Sequence, residues 1–178
     1  VSNNIEGTQN LFDGIVKSGY RPRVVLASSS EIYGDVPQIR NPISESEPMN
    51  PVNYYACTKA AQELLVYAYS KVNDLEFVIT RAFGYINPRR EDLVATALAR
   101  QIVAFEQGKV DAVYHGNLDP VRSFCDARDI VEAYWLAATV CPPGVYNIGS
   151  ETPCSIAALA QGLMVAYTAG GGRRKARF

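Results

Sequence analysis

The stretch Val24-Val25-Leu26-Ala27-Ser28-Ser29-Ser30-Glu31-Ile32-Tyr33-Gly34 decides the fold class. Its first four residues form an unbroken apolar run with β-branched members, the pattern of a strand buried on both faces. Upstream, Ile5, Leu11, Phe12, Ile15 and Val16 fall on one face of a helix from Asn4 to about Lys17, which Gly19 ends. Downstream, a polar stretch from Ser28 to Asn53 contains Pro37, Pro42, Pro48 and Pro51, and loops of that length in a compact domain are often functional. An alanine- and leucine-rich helix is predicted from Tyr54 to Val72, then a strand from Glu76 to Thr80 and a helix from Val94 to Glu106. Ala112-Val113-Tyr114 reads as a short strand, Asp126 as the cap of a helix running through Ala138, Val145–Ile148 as a last strand, and Ser155 as the cap of a last helix. Strands alternating with helices predict an α/β protein with a parallel sheet. Ligands of such sheets bind beyond the carboxyl ends of the strands, which here means the segments after Ala27 and Thr80.

Composition narrows the function classes. With 48% hydrophobic and 20% charged residues the chain has the make-up of an ordinary globular protein, and its net charge of −1 lacks the basic excess of a nucleic-acid binder. Cys57, Cys125, Cys141 and Cys154 are widely spaced and accompanied by one histidine, His115, so neither a metal site nor a disulfide framework is expected. Reduced thiols and a cytoplasmic location follow as the expectation, and no apolar run is long enough to span a membrane. The start at Val1-Ser2-Asn3-Asn4 suggests a fragment, and the glycine-rich, basic residues from 169 to 178 suggest a flexible tail.

The chemistry centres on Tyr55 and Lys59. Four residues apart on a helix, they share one face, and an ammonium beside a phenol favours the phenolate. A tyrosine tuned in this way can exchange a proton with a substrate hydroxyl. Tyr67 and Lys71 repeat the spacing three turns on, but only Tyr55 follows directly on the proline-rich loop, where a side chain can face a cleft. Ser28, Ser29 and Ser30, at the end of the first strand, can hydrogen-bond a substrate oxygen. Cys57, His115, Trp135 and the alanines of the helix begun by Asp126 read as packing residues, and Asp126 and Asp129 as helix-start residues.

Ser-Ser-Ser-Glu-Ile-Tyr-Gly after a strand, followed by Asn-Pro-x-Asn-Tyr-Tyr-x-x-Thr-Lys-Ala-Ala-x-Glu, resembles the nucleotide-sugar epimerase/dehydratase branch of the extended short-chain dehydrogenases. Thr80-Arg81-Ala82-Phe83 with Pro88-Arg89-Arg90, and Gly116-Asn117-Leu118-Asp119 leading to Val121–Asp129, are similar to GDP-mannose 4,6-dehydratases and GDP-4-keto-6-deoxymannose reductases. The resemblance covers roughly residues 1 to 165. It implies Ser29, Tyr55 and Lys59 as the catalytic group, with Glu31 as the acid found in dehydratase members. It also implies Asn4, Tyr55, Lys59 and Arg90 at an NAD or NADP cofactor, and Ser30 and Arg122 at a nucleotide-sugar substrate, GDP-hexose favoured, with Arg122 on the diphosphate. Metal, nucleic acid and membrane are not implied, and homodimerisation through two long helices is typical of such proteins.

The implied architecture is the C-terminal part of a doubly wound, Rossmann-like parallel sheet with a partial substrate-binding region. Residues 1–88 and 118–149 would form the dinucleotide-binding half, and 89–117 with 150–168 the substrate region. Two departures stand out. The usual Phe-Asn-His is Phe83-Gly84-Tyr85, and no strand followed by Gly-x-x-Gly-x-x-Gly, the phosphate cradle of dinucleotide folds, occurs in the chain. The implied reaction is dehydratase-like oxidation of a nucleotide-linked hexose at C4. The alternatives are a reductase or epimerase on the same scaffold, or a non-catalytic fragment unable to bind cofactor; the isolated chain is expected to be inactive.

Overall fold

The structure, a computed structural model, describes residues 2–172. The chain divides into two compact units, one running to Phe83 and resuming at Arg128–Gly149, the other comprising Gly84–Ala127 and the chain from Ser150.

In the first unit α1 (Ile5–Ser18) stops at Gly19, whose left-handed φ of 69° closes the last turn. β1 (Val24–Ser29), β2 (Phe77–Ala82) and β5 (Gly144–Ile148) form a parallel sheet in the order β1-β2-β5. α2 (Tyr54–Asn73) connects β1 to β2, and α4 (Ala127–Thr139) leads into β5. The α/β class with a parallel sheet is therefore as the alternation predicts. Phe12, Val66, Leu75 and Ile79 make the core between sheet and helices.

β1 departs from the expected strand buried on both faces: Val24–Leu26 are half-buried and Ala27 is exposed, because β1 is the edge of the sheet among the described residues. The central strand β2 is the one that is buried. The segment after β1 is not a simple loop either. Ser30–Tyr33 make a turn of 3-10 helix with Ile32 and Tyr33 buried against Ala60. The backbone N–H of Asn50 donates to the Ile32 carbonyl at 2.8 Å, closing the base of the loop. Gly34 has φ 63°, and a Cβ there would lie 2.0 Å from the Asn50 carbonyl oxygen, so this corner admits only glycine.

In the second unit β3 (Gly84–Ile86) pairs in parallel with β4 (Val121–Asp126), and β4 pairs antiparallel with β6 (Pro153–Ser155). α3 (Val94–Glu106) packs on α5 (Ile156–Ala169) around Leu98, Ile102, Phe105, Val113, Ile156 and Ala160. α3 has the bounds its periodicity predicts, and Ser155 caps α5 by accepting from the Ala158 N–H.

Several expectations are corrected here. Ala112–Tyr114 is not a strand. Val113 plugs the core, while the Gln101 side chain accepts from the Tyr114 N–H and donates to its carbonyl, both at 2.7 Å, doing what a neighbouring strand would. Asp126 ends β4, which places residues 118–127 in the second unit and not with 128–149. The divide near 88 falls instead between Phe83 and Gly84, where β2 hands over to β3. Trp135 is 68% exposed, and His115 and Cys57 are also exposed, so none of the three is a packing residue. Of the tail expected from 169 onward, residues 173–178 lie outside the described residues. No described helix is long and apolar enough to cross a membrane.

Candidate active site

The start of α2 is fixed by Asn53. Its side-chain oxygen accepts from the Ala56 N–H at 2.8 Å, and its amide nitrogen donates to Glu31 Oε2 at 2.8 Å. One residue thus caps the helix that bears Tyr55 and Lys59 and ties it to the carboxylate after β1. Asn53→Ala is expected to cost about 0.5–2 kcal/mol in urea denaturation through loss of the cap. Asn53→Ser, which keeps a capping oxygen but cannot reach Glu31, should retain most of that stability.

Lys59 reaches back across to the sheet, where its Nζ donates to the Ala27 carbonyl at 2.8 Å and lies 5.8 Å from the Tyr55 ring centroid. Burial lowers its pKa below the ordinary lysine value. The rival pair has the same local arrangement, with Lys71 Nζ 5.5 Å from the Tyr67 ring. Tertiary context separates them: Lys59 is half-buried against β1, whereas Lys71 and Tyr67 stand on the exposed side of α2. The Tyr55 hydroxyl has no hydrogen-bond partner among the described residues, and the side chain is 49% exposed, open to a ligand.

Of the other expected residues, Ser29 is buried and its Oγ accepts from the Glu31 N–H at 3.3 Å, while Ser30 is half-buried and opens the 3-10 turn. The Asn4 amide donates to Thr58 Oγ1 at 2.9 Å, pinning the start of α1 to the same turn of α2. Asn4, Ser29, Ser30, Glu31, Tyr55 and Lys59 all belong to the first unit. Arg90 and Arg122 belong to the second. Arg90 forks onto Asp92 at 2.7 and 2.8 Å, and hydrogen bonds from Arg90 hold the Asp92 carboxyl down at about 2. Arg122 is exposed on β4, with Nη1 donating to the Val121 carbonyl at 2.9 Å. A cleft of about 210 Å³ in this unit is lined by residues that include Gln101, Tyr114, His115 and Asn117. The departure at Gly84 has a local reason: a Cβ there would come 2.6 Å from the Ser123 carbonyl oxygen, so a larger residue would require β3 and β4 to move apart.

Sequence reasoning gave no role to Asn53 or to the buried polar network behind the site, although its residues Glu63 and Arg81 lie in the quoted motifs. Glu63 and Arg81 are 2% and 5% exposed and paired at 2.7 Å. Arg81 also donates to the Tyr33 hydroxyl at 2.8 Å, and Tyr33 donates to Asn147 Oδ1 at 2.7 Å. Burial opposes the charge on Arg81, but Glu63 and Tyr33 outweigh it and the net effect raises its pKa; burial is also the main cause that raises the pKa of Tyr33. The available signal was a charged residue inside the apolar run of β2, since a buried charge must be paired.

The chain is similar to known proteins along most of its length. The family model for GDP-mannose 4,6 dehydratase matches residues 1–169. The chain is 31% identical over 150 residues to the GDP-6-deoxy-D-mannose reductase of Pseudomonas aeruginosa, covering 83% of this chain and 49% of that protein. It is 33% identical over 133 residues to the GDP-mannose 4,6 dehydratase of Dictyostelium discoideum, covering 73% and 37%. The chain thus spans about half or less of the length of these relatives. Among solved structures, RMD from Pseudomonas aeruginosa complexed with NADPH superposes with a TM-score of 0.86 at 26% identity, over 98% of this chain and 59% of that one. The α/β architecture is accordingly that of the Rossmann-fold short-chain dehydrogenases. With a family match over residues 1–169, nearly its whole length, the chain belongs to the GDP-mannose 4,6 dehydratase family.

Proposed function

We propose that the chain contributes the proton-transfer group of an NAD(P)-dependent, GDP-mannose 4,6-dehydratase-like reaction at C4 of a nucleotide-linked hexose. The observation that carries this reading is the seat of Lys59 against the Ala27 carbonyl, which holds the Tyr55–Lys59 face of α2 against the serine-bearing end of β1. Tyr55 takes the C4 hydroxyl proton, Ser29 donates a hydrogen bond to the sugar oxygen, and Lys59 keeps a positive charge beside the phenol. Glu31, held through Asn53, removes the C5 proton and returns it to the C6 hydroxyl, which leaves as water.

The residues present fit the ribose and nicotinamide end of the cofactor. Lys59 has N–H groups beyond the one given to Ala27, and the amide oxygen of Asn4 is directed to no described partner. When bound, the nicotinamide supplies the acceptor and later the donor of hydride. The diphosphate has no Gly-x-x-Gly-x-x-Gly cradle within this chain. We assign the second unit to the substrate, with Arg122 at the diphosphate and the cleft by Tyr114 and Asn117 at the nucleotide. We further assign Arg90 to the cofactor, as the resemblance of Pro88-Arg89-Arg90 implies. Exposed Leu11, Leu64 and Tyr67 on α1 and α2 support a homodimer, and four free cysteines support a cytoplasmic location.

The full-length protein incubated with GDP-mannose and NAD(P)+ is expected to yield a 4-keto-6-deoxy sugar nucleotide by mass. Absence of that product overturns the dehydratase reading. The 31% identity to a reductase favours a second reading on the same residues, which consumption of NADPH at 340 nm with a 4-keto sugar nucleotide would reveal.

A further inference from the structure

Tyr55 and Lys59 continue in a third residue at the same spacing, Glu63, one more turn along the same face of α2. Nothing in the reaction proposed above uses it, yet it is among the most buried polar residues of the chain. Its carboxylate is saturated. Arg81 Nε donates to Oε1 at 3.1 Å and to Oε2 at 3.2 Å, Nη2 donates to Oε2 at 2.7 Å, and the Ser28 hydroxyl donates to Oε1. Ser28 lies between Ala27, whose carbonyl receives Lys59, and Ser29. From Arg81 the network continues through Tyr33 to Asn147 on β5. Asn147 binds the loop through Glu45 and Ile43, at 2.7 and 2.8 Å.

The small residues on this stretch of α2 explain what such a pair is for. Ala56 and Ala60 are buried, and methyl contacts of about 0.1–0.2 kcal/mol per atom pair have no directional preference. They hold the helix close but do little to resist its turning, which falls to its polar contacts: the single hydrogen bonds of Asn53 to Glu31, of Asn4 to Thr58 and of Gln62 to Thr8, and the charged pair of Glu63 with Arg81. A change of phase by one residue turns the helix about 100° and would carry Tyr55 and Lys59 off the end of β1. A two-pronged guanidinium–carboxylate contact is directional and does resist turning.

We propose that the buried Glu63–Arg81 pair is a positioning element that sets the rotational phase of α2, and with it the seat of Lys59 on Ala27 and the aim of Tyr55. The catalytic half of this proposal rests on the reading of Tyr55 and Lys59 given above; the structural half does not. Glu63 and Arg81 touch no substrate and act through the helix.

The test uses the full-length protein and two variants, Glu63→Gln and the neutral pair Glu63→Gln/Arg81→Met, with melting temperature followed throughout. The neutral pair removes both buried charges together, so it avoids the stranded charge that unfolds single variants. The first readout is the NMR titration of the Lys59 side chain in protein labelled with 13C-lysine. Loss of the Glu63 charge alone would push the Lys59 pKa further down, whereas loss of the seat lets water in and brings it up toward the ordinary lysine value. We expect the upward movement in both variants. The second readout is kcat, expected to fall about 10²-fold with a smaller change in KM, and to stay low in the neutral pair even where its melting temperature recovers. A Lys59 titration that stays put or moves down in the folded variants overturns the proposal, as does a kcat that returns in step with stability. If the parent turns over no sugar nucleotide while the Lys59 titration moves up, the functional reading falls and the positioning role stands.

Discussion

Tyr55→Phe is expected to lower kcat about 10²–10⁴-fold, the range over which a positioned proton-transfer group acts, while leaving the fold intact. The phenol is 49% exposed and its hydroxyl bonds to nothing among the described residues, so its removal breaks no packing and orphans no partner. Stability should stay within about 0.5 kcal/mol of the parent. The control is built into the same helix. Tyr67 stands over Lys71 at 5.5 Å, nearly the 5.8 Å that separates Tyr55 from Lys59, and Tyr67→Phe should leave kcat unchanged. Steady-state turnover of the full-length protein, followed at 340 nm or by product mass, reads both variants side by side. Equal activity in the two, or loss in both, would show that the ring–amine contact alone was mistaken for a site.

That control also marks how far the sequence could be read. Spacing alone offered two equivalent Tyr–Lys pairs, and the position of Tyr55 after the proline-rich loop chose between them. The physical ground for the choice, Lys59 reaching the Ala27 carbonyl across 32 positions of sequence, is a long-range contact that no local pattern encodes. α3 was legible to the residue because its apolar side chains repeat with helical period. β4 was not, because Val121-Arg122-Ser123-Phe124-Cys125-Asp126 has neither an apolar run nor clean alternation and owes its strand form to β3 and β6 on either side. Ala112–Tyr114 failed for the converse reason: an apolar residue between others suggested a strand, while the Gln101 side chain supplied the partner. Ser29, Glu31, Tyr55 and Lys59 took their expected roles from the motif, whereas Asn53, which stands in the same motif and joins Glu31 to the cap of α2, took none, because asparagine is common in loops for many reasons.

Arg81→Met should be the most destabilising of the substitutions considered, by about 3–5 kcal/mol, because it strands a charge and leaves the contacts around it in place. Glu63 is 2% exposed, and without Arg81 its carboxylate keeps only the Ser28 hydroxyl as a donor among the described residues. Tyr33 would lose one partner and the Glu45 carbonyl another, at a corner of the loop where Ile32 and Tyr33 are otherwise packed against Ala60. For a chain of this size the loss corresponds to about 6–20 °C in melting temperature. Replacing both partners, Glu63→Gln with Arg81→Met, should recover most of it, since two neutral side chains of similar length fill the same space without a charge to desolvate. The sign of that recovery decides what the pair does. If the neutral pair melts near the parent, the ion pair adds little net stability, and its retention beneath the helix that bears Tyr55 and Lys59 needs another reason, of which directional control of that helix is the one the contacts support. If the neutral pair melts as low as Arg81→Met, the network is a stability element, and the orientation of α2 follows from packing alone.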